Sequence, residues 1–209
     1  MQQGLLPLFP LQVVLFPRTP LPLHIFEDRH KEMIGEAMRT HTEFGVVLAR
    51  QNGILNTGCT ATVEKVLKEY PDGRLDILTM GRRRFEILLL NEEQAYLRGA
   101  VEFFDDDEPA PAPAEIQRRV REYHLALWEL WESGLFPDPA PQDPQLSFQL
   151  AQIIDDLDFR QFLLRLRSEA ERMKKLAEFL EDYVPKQRLT AQVRRVAPLN
   201  GRGRSPLSP

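Results

Sequence analysis

The first hundred residues carry short hydrophobic runs separated by turn signals. The runs are rich in β-branched or aromatic residues and occupy positions 44–50, 59–70, 74–80, 83–90 and 95–104. Asn52-Gly53 and Tyr70-Pro71-Asp72-Gly73 fit tight turns between two of them, and Gly81 separates another pair. Strands at hairpin spacing are typical of a small sandwich or barrel. Residues 26–40 interrupt the series with a predicted helix, because Met33, Ile34, Ala37 and Met38 recur at helical spacing.

The second half of the chain has a helical pattern. The stripe Ile116, Val120, Tyr123, Leu127 and Leu130 repeats at i, i+4 and i+7. Beyond a predicted loop at 133–144, Asp143 and Pro144 resemble an N-cap and a first helical residue, Asp158 opens another helix, and Ser168-x-x-Glu171 is a capping box. The chain therefore divides into a β-rich part (1–107), a Pro/Ala linker (108–115), a helical bundle (116–196) and a tail (197–209) that we expect to be disordered.

Charge is distributed unevenly although the net charge is only −4. Residues 105–182 hold 9 basic and 18 acidic residues, whereas 183–209 hold 6 basic residues and no acidic ones. The basic tail could contact RNA, a membrane or an acidic partner, or it could be a solvated terminus. Prolines break up the apolar N-terminus, no apolar run is long enough to span a membrane, and Cys59 is the single cysteine. We expect a cytoplasmic protein with no membrane partner.

Sequence motifs for catalysis are absent. There is no phosphate-binding loop, no dinucleotide fingerprint and no nucleophile elbow. Cys59 lies inside a predicted strand, where a cysteine usually behaves as a small hydrophobe, and the four histidines lack ligand spacing. The acidic run 105–108 could bind a hard cation, but it lacks alternating ligand positions and fits a solvated linker better. We therefore predict no catalytic residue, no metal site and no cofactor.

The arginines Arg82, Arg83 and Arg84 form the densest basic cluster. One interpretation is a phosphate or RNA contact. The other is the start of a strand whose alternate arginines face solvent and pair with neighbouring acids, and we favour this second interpretation.

Three segments together resemble the N-terminal substrate-binding domain of the Lon proteases. The first is LPLFPLQVVLFPRTPLPLHIFEDRHKEMIGEAM at 6–38, with its Pro-interrupted strands leading into a helix. The second, at 58–88, has a G-x-x-A strand, a D-G turn and a G-x-x-R-F strand; the third, YLRGAVEFFDDDE at 96–108, closes the β part. The helical stretch 145–183 is similar to the later helices of the family, so the resemblance covers roughly 5–185.

The resemblance implies an α+β fold, in which a PUA-like β pseudo-barrel with one inserted helix precedes a C-terminal helical bundle. It also implies a role in binding unfolded or tagged polypeptides, and it suggests an ATP-dependent protease or chaperone as a partner. The chain looks like a stand-alone bacterial Lon-domain protein without the ATPase and peptidase domains. Arg18 departs from the family, which usually has glycine after V-L-F-P; a positive φ there would cost an arginine about 1 kcal/mol.

Two binding functions follow as expectations. In the first, a polypeptide lies on exposed apolar surface or on a strand edge, with Phe16, Leu21, Leu23 and Phe26 as contacts. The same four residues could instead form the core of the β half. In the second, a PUA-like module binds nucleic acid through Arg82–Arg84 and the basic tail, although the mild net charge makes nucleic acid the less favoured partner.

Overall fold

The computed structural model describes residues 5–93, 95–108, 110–131 and 138–196. The strands are β1 (Leu6–Leu11), β2 (Pro20–Ile25), β3 (Phe44–Arg50), β4 (Gly53–Glu69), β5 (Leu75–Asn91) and β6 (Arg98–Phe104). The helices are α1 (Asp28–Thr40), α2 (Ala114–Trp131), α3 (Leu146–Ala151), α4 (Leu157–Arg165) and α5 (Glu169–Val196). The tail 197–209, predicted to be disordered, lies outside the described residues.

Five strands close into a ring. The parallel pair β1–β3 continues through antiparallel β3–β4, β4–β5 and β5–β6, and β6 returns to β1 over Leu6 and Pro7. Each of the five strands thus pairs with a neighbour on both sides over part of its length. The predicted pseudo-barrel with one inserted helix and a following helical region is therefore confirmed.

The predicted break between 74–80 and 83–90 is wrong, because both runs belong to β5. Gly81 does not end the strand; it lets another backbone segment approach. A Cβ at this position would lie 2.0 Å from the carbonyl oxygen of Phe16. The ladder with β4 shifts register between Cys59 and Ala61, opposite this point, so β5 bends and continues.

Strand β2 extends the sheet outside the ring. It pairs with residues 75–80 of β5, which pair on their other side with the second half of β4. Pro20 and Pro22 lie opposite Met80 and Leu78 in this ladder. Proline has no N–H to donate, and it is tolerated here because β2 is an edge strand whose outer side needs no donor. Pro17 lies in the turn before β2, whereas Pro7 and Pro10 lie within β1, which pairs with both β3 and β6.

Apolar packing joins the barrel to the helices. The ring of Phe16, from the turn after β1, stacks on Phe148 of α3 with centroids 4.9 Å apart. Leu8, Val47 and Phe85 form a smaller buried cluster.

The helix starts lie close to the predicted positions. Asp156 rather than Asp158 caps α4, accepting from the amide of Phe159 at 2.8 Å. Ser168 Oγ accepts from the amide of Glu171 at 3.3 Å at the start of α5, as in the predicted capping box. Asp143 instead accepts from the amide of Gln145, so α3 begins two residues later than its Pro144 suggested.

Candidate functional site

The four predicted polypeptide contacts occupy different environments. Phe16 is fully buried against Phe148, so its assignment to a binding surface is wrong and its place is the core. Leu21 and Leu23 are half-buried and pack against the main core cluster. The side chain of Phe26, directly after β2, is 59% exposed. Of the four, Phe26 is the one that a partner can readily reach.

Phe26 borders an apolar surface on the sheet extension. Because side chains alternate across a strand, Pro22 and His24 lie on the face opposite Leu21 and Leu23. The register places Leu78 beside Pro22. Pro22 and His24 are exposed, whereas Leu78 and Met80 are half-buried. We call the surface formed by Pro22, His24, Phe26, Leu78 and Met80 the outer face.

Aromatic side chains joined by hydrogen bonds lie at one end of the outer face. The His24 ring stacks near Phe26 with centroids 5.9 Å apart, and it meets Tyr70 edge-on at 5.8 Å. His24 Nδ1 lies 2.6 Å from Asp76 Oδ1, and the Tyr70 hydroxyl donates to Asp76 Oδ2 at 2.8 Å. The hydrogen bonds from His24 and Tyr70 lower the pKa of Asp76, which keeps this carboxylate ionised.

Cations border the same end. Lys68 Nζ lies 4.3 Å from the centroid of the Tyr70 ring, and the Arg74 guanidinium lies 4.8 Å from it. Aromatic rings with few rotatable bonds, beside long basic side chains, offer apolar contact at small entropic cost and attraction for acidic groups. The outer face thus combines exposed apolar surface with basic side chains at one end.

Cys59 and the potential metal ligands form no reactive group among the residues that the structure describes. Burial raises the pKa of Cys59 to about 12, so its fully buried thiol is not a nucleophile near neutral pH. Within the described part of the chain, no three histidine, cysteine or acidic side chains cluster as metal ligands would.

The arginine cluster divides into two surface residues and one buried residue. Arg82 pairs with Glu64 and donates to Thr62 Oγ1, while Arg83 pairs with Glu43 at 3.0 Å and stacks over Phe103. Arg82 and Arg83 thus face solvent beside acidic partners, as the favoured interpretation expected, but they are adjacent residues rather than alternate ones. Arg84 has no exposed surface, so its assignment as a nucleic-acid contact is wrong.

Arg84 instead takes part in a buried ionic network between the barrel and the helices. Its Nη2 donates to Asp106 Oδ1 at 2.6 Å, and its Nη1 donates to the carbonyl oxygens of Leu164 and Leu166 at 3.2 and 2.5 Å. Arg172 of α5 holds both oxygens of the same carboxylate, at 2.5 and 2.6 Å. The interpretation of 105–108 as a solvated linker is therefore wrong for Asp106, whose side chain is 13% exposed.

A second carboxylate balances the two arginines. Glu169 accepts from Arg172 Nη2 at 2.8 Å and from the amide and hydroxyl of Ser147 at 2.9 and 2.6 Å. Burial raises the pKa of Glu169 in spite of these donors. Burial acts in the same direction on Asp106, but the hydrogen bonds and charges of Arg172 and Arg84 outweigh it and lower the pKa of that carboxyl.

The backbone at Arg18 is in the left-handed conformation that glycine adopts most easily. The family usually has glycine at this position. Arg18 has φ 58°, and its amide donates to the Gly81 carbonyl at 2.8 Å while the Gly81 amide donates to Thr19 at 3.0 Å. The guanidinium reaches Asp143 at 3.2 Å, in the loop before α3. The side chain thus gains a contact with the helical half while the backbone accepts strain.

Comparison with known proteins decides the family. A model of the ATP-dependent protease La (LON) substrate-binding domain matches residues 5–182. The chain belongs to the Lon substrate-binding domain family. Lon protease of Parabacteroides distasonis is 31% identical over 124 residues, which are 55% of this chain and 15% of that protein. Lon protease of Flavobacterium johnsoniae is 29% identical over 147 residues, which are 65% of this chain and 18% of that protein. The chain thus spans less than a fifth of these relatives.

Solved structures share the fold of this Lon substrate-binding domain. A Lon N-terminal domain protein from Xanthomonas campestris superposes with a TM-score of 0.65 at 23% identity, covering 83% of this chain and 96% of that one. The N-terminal domain of a Mycobacterium avium complex Lon protease gives 0.59 at 20% identity, covering 86% and 99%. In the described ranges, no helix combines the length and apolarity that crossing a membrane requires.

Proposed function

We propose that this Lon substrate-binding domain binds unfolded or tagged polypeptides through the outer face and performs no catalysis itself. The observation that carries the proposal is Phe26, a large apolar ring that is 59% exposed at the border of an apolar surface. Covering an exposed aromatic side chain with a partner's apolar groups contributes on the order of 1.5–3 kcal/mol. A few such contacts support the weak binding that a substrate-recognition step needs.

Binding at the outer face takes place through side chains rather than by strand addition to β2. Pro20 and Pro22 have no N–H, so two of the six residues of β2 have no backbone donor to offer an added strand. Apolar segments of any sequence can lie across Pro22, Leu78 and Phe26. Lys68 at the rim favours segments with flanking acidic residues, whereas the charge of Arg74 is already paired with Asp72.

A titration with an unfolded polypeptide tests this proposal. Fluorescently labelled, reduced and carboxymethylated α-lactalbumin serves as the probe, and its anisotropy reports binding. We expect micromolar binding by the wild type and a Kd at least tenfold higher for Phe26→Ser. Leu125→Ser is the matched control, because Leu125 of α2 is 60% exposed and remote in sequence from the outer face. Equal binding by wild type and Phe26→Ser would remove the outer face as the site.

In this proposal, the domain acts in the cytoplasm as an adaptor or substrate-recognition module. It delivers the bound polypeptide to an ATP-dependent protease or chaperone. The family match supports this role, because the matched model describes the substrate-binding part of an ATP-dependent protease. Incubation of the purified chain with casein, with and without ATP, tests the non-catalytic half. We expect intact casein in both samples, and cleavage that co-purifies with the chain would contradict the proposal.

A further inference from the structure

Strands β4 and β5 diverge at one end of the barrel. Their last paired residues there are Thr57 and Glu86. Beyond this point β4 pairs with β3 through Ile54 and Ala49, and β5 pairs with β6 from Ile87 to Asn91. The sides of β4 and β5 that face each other pair with no strand in the described ladders. A groove of about 390 Å³ opens where they diverge, lined by residues 54–57 of β4, Glu86 and Ile87 of β5, and Gln161 and Arg165 of α4.

Both walls of this groove carry free backbone groups. Alternate residues of a strand direct their N–H and C=O to opposite sides, so a strand that is paired on one side leaves every second residue unpaired on the other. An extended chain placed between two such strands can bond to both. The groove is therefore complementary to polypeptide backbone in particular, and not only to an apolar surface.

Side chains at the groove are mixed in character: Leu55 and Ile87 offer apolar contact, whereas Glu86 and Arg165 are charged. Leu55 is 36% exposed, and Leu88, which follows Ile87 in β5 next to the groove, is 66% exposed. Gln161 of α4 lies beneath the groove, 5% exposed, and its Nε2 donates to the Thr57 carbonyl at 2.9 Å. Its Oε1 has no donor among the residues that the structure describes.

We propose that an extended segment of the bound polypeptide inserts between the diverging ends of β4 and β5 as an additional strand. Backbone hydrogen bonds hold the segment, and its apolar side chains contact Leu55 and Leu88. This inference rests on the proposed function, since it assigns the same class of partner a second contact. It differs from the outer face in mode, because here the backbone of the partner is recognised.

N-methylated peptides test the mode of binding. The probe is a fluorescently labelled, acetylated decapeptide of alternating valine and threonine; two analogues carry N-methyl groups on the valines or on the threonines. We expect the unmodified peptide to bind and each analogue to bind at least tenfold more weakly, because each lacks the donors on one edge. Equal binding of the unmodified peptide and both analogues would overturn strand insertion, because the peptide would then bind through apolar contacts without backbone hydrogen bonds.

Variants then locate the site. The double variant Leu55→Ser/Leu88→Ser is expected to weaken decapeptide binding at least fivefold, while the control Leu125→Ser leaves it within twofold of wild type. If the double variant binds the decapeptide normally while unfolded α-lactalbumin still depends on Phe26, the groove is wrong and the outer face stands. If the wild type binds neither probe, both proposals fail.

Discussion

Arg84 Nη2 donates to Asp106 Oδ1 at 2.6 Å inside the boundary between the barrel and the helices. Arg84 lies in β5, and Asp106 lies in the segment after β6. Arg172 of α5 also donates hydrogen bonds to the Asp106 carboxylate. One carboxylate thus ties three distant parts of the chain together. The arginine of the family motif G-x-x-R-F is, in this chain, a buried structural link between the two halves.

Removing Arg84 is expected to destabilise the fold strongly. Arg84→Leu leaves the Leu164 and Leu166 carbonyls without this donor and removes one of the two positive charges beside Asp106. Breaking a buried ion pair on one side costs about 3–5 kcal/mol. Urea unfolding monitored by circular dichroism measures the free energy of unfolding. Arg83→Leu, next in sequence but exposed, is the control and is expected to lose less than about 1 kcal/mol. Similar losses in both variants would contradict the structural role of Arg84.

Two glycines are expected to respond oppositely to alanine. In Gly81→Ala the new Cβ meets the Phe16 carbonyl oxygen at 2.0 Å, so the turn or the strand must shift. The expected loss is about 1–3 kcal/mol, as for other overpacked sites. Gly35 lies within α1 with no atom within 4 Å of its added Cβ, so Gly35→Ala is expected to stabilise by about 0.5–1 kcal/mol. Thermal unfolding measures the change in stability of each variant. If Gly81→Ala were more stable than the wild type, the backbone of Gly81 would not lie close to the Phe16 carbonyl oxygen.

Arg18 offers a measurement of backbone strain. Arg18→Ala and Arg18→Gly both lose the ion pair with Asp143, but only glycine adopts φ 58° without a Cβ penalty. Arg18→Gly is therefore expected to be about 1 kcal/mol more stable than Arg18→Ala. The comparison uses denaturant midpoints at constant m-value. Equal stability would mean that residue 18 does not adopt a left-handed conformation in solution.

His124 is expected to make stability depend on pH. Its Nδ1 donates to the Leu150 carbonyl at 3.0 Å, and burial lowers its pKa. Because the folded pKa lies below the unfolded one, the unfolded chain takes up the proton first, so stability is lost as the pH falls from about 7 to about 5. His30, whose pKa is also lowered by burial, acts in the same direction, whereas the raised pKa of Glu169 opposes it.

Substituting His124 isolates its contribution to the pH dependence of stability. Asparagine can keep the hydrogen bond to Leu150 without titrating, so His124→Asn is expected to lose less stability than the wild type over the same pH interval. The free energy of unfolding, measured for each protein at both ends of this pH interval, gives the stability that the wild type and His124→Asn each lose. Identical pH dependence in both proteins would exclude His124 as a source.

Local patterns in the sequence predicted much of the fold. The β3 run at 44–50 was located to the residue, because a buried strand between turn signals is a local feature. The continuity of β5 was not predictable in the same way. Gly81 looks like a strand end in the sequence, and its actual role depends on the Phe16 carbonyl, more than sixty positions away in the chain.

The buried network shows the same limit for charged residues. Arg84 stands beside two solvent-facing arginines, and Asp106 stands within an acidic run, so neighbouring residues suggested surface positions for both. Only the path of α5 past the end of β6 places Arg172 against Asp106. For the proposed binding surface, the sequence suggested Phe16 and Phe26 alike, and it could not separate the buried Phe16 from the exposed Phe26.

Crosslinking from position 26 shows whether a bound polypeptide lies on the outer face. The photoreactive residue p-benzoylphenylalanine replaces Phe26 in one protein and Leu125 in another, and each is irradiated with reduced, carboxymethylated α-lactalbumin. Binding at the outer face predicts abundant adducts from position 26, lost on addition of excess unlabelled unfolded polypeptide, and few from position 125. Equal yields from both positions, or none from position 26 under conditions where the polypeptide is bound, would contradict it.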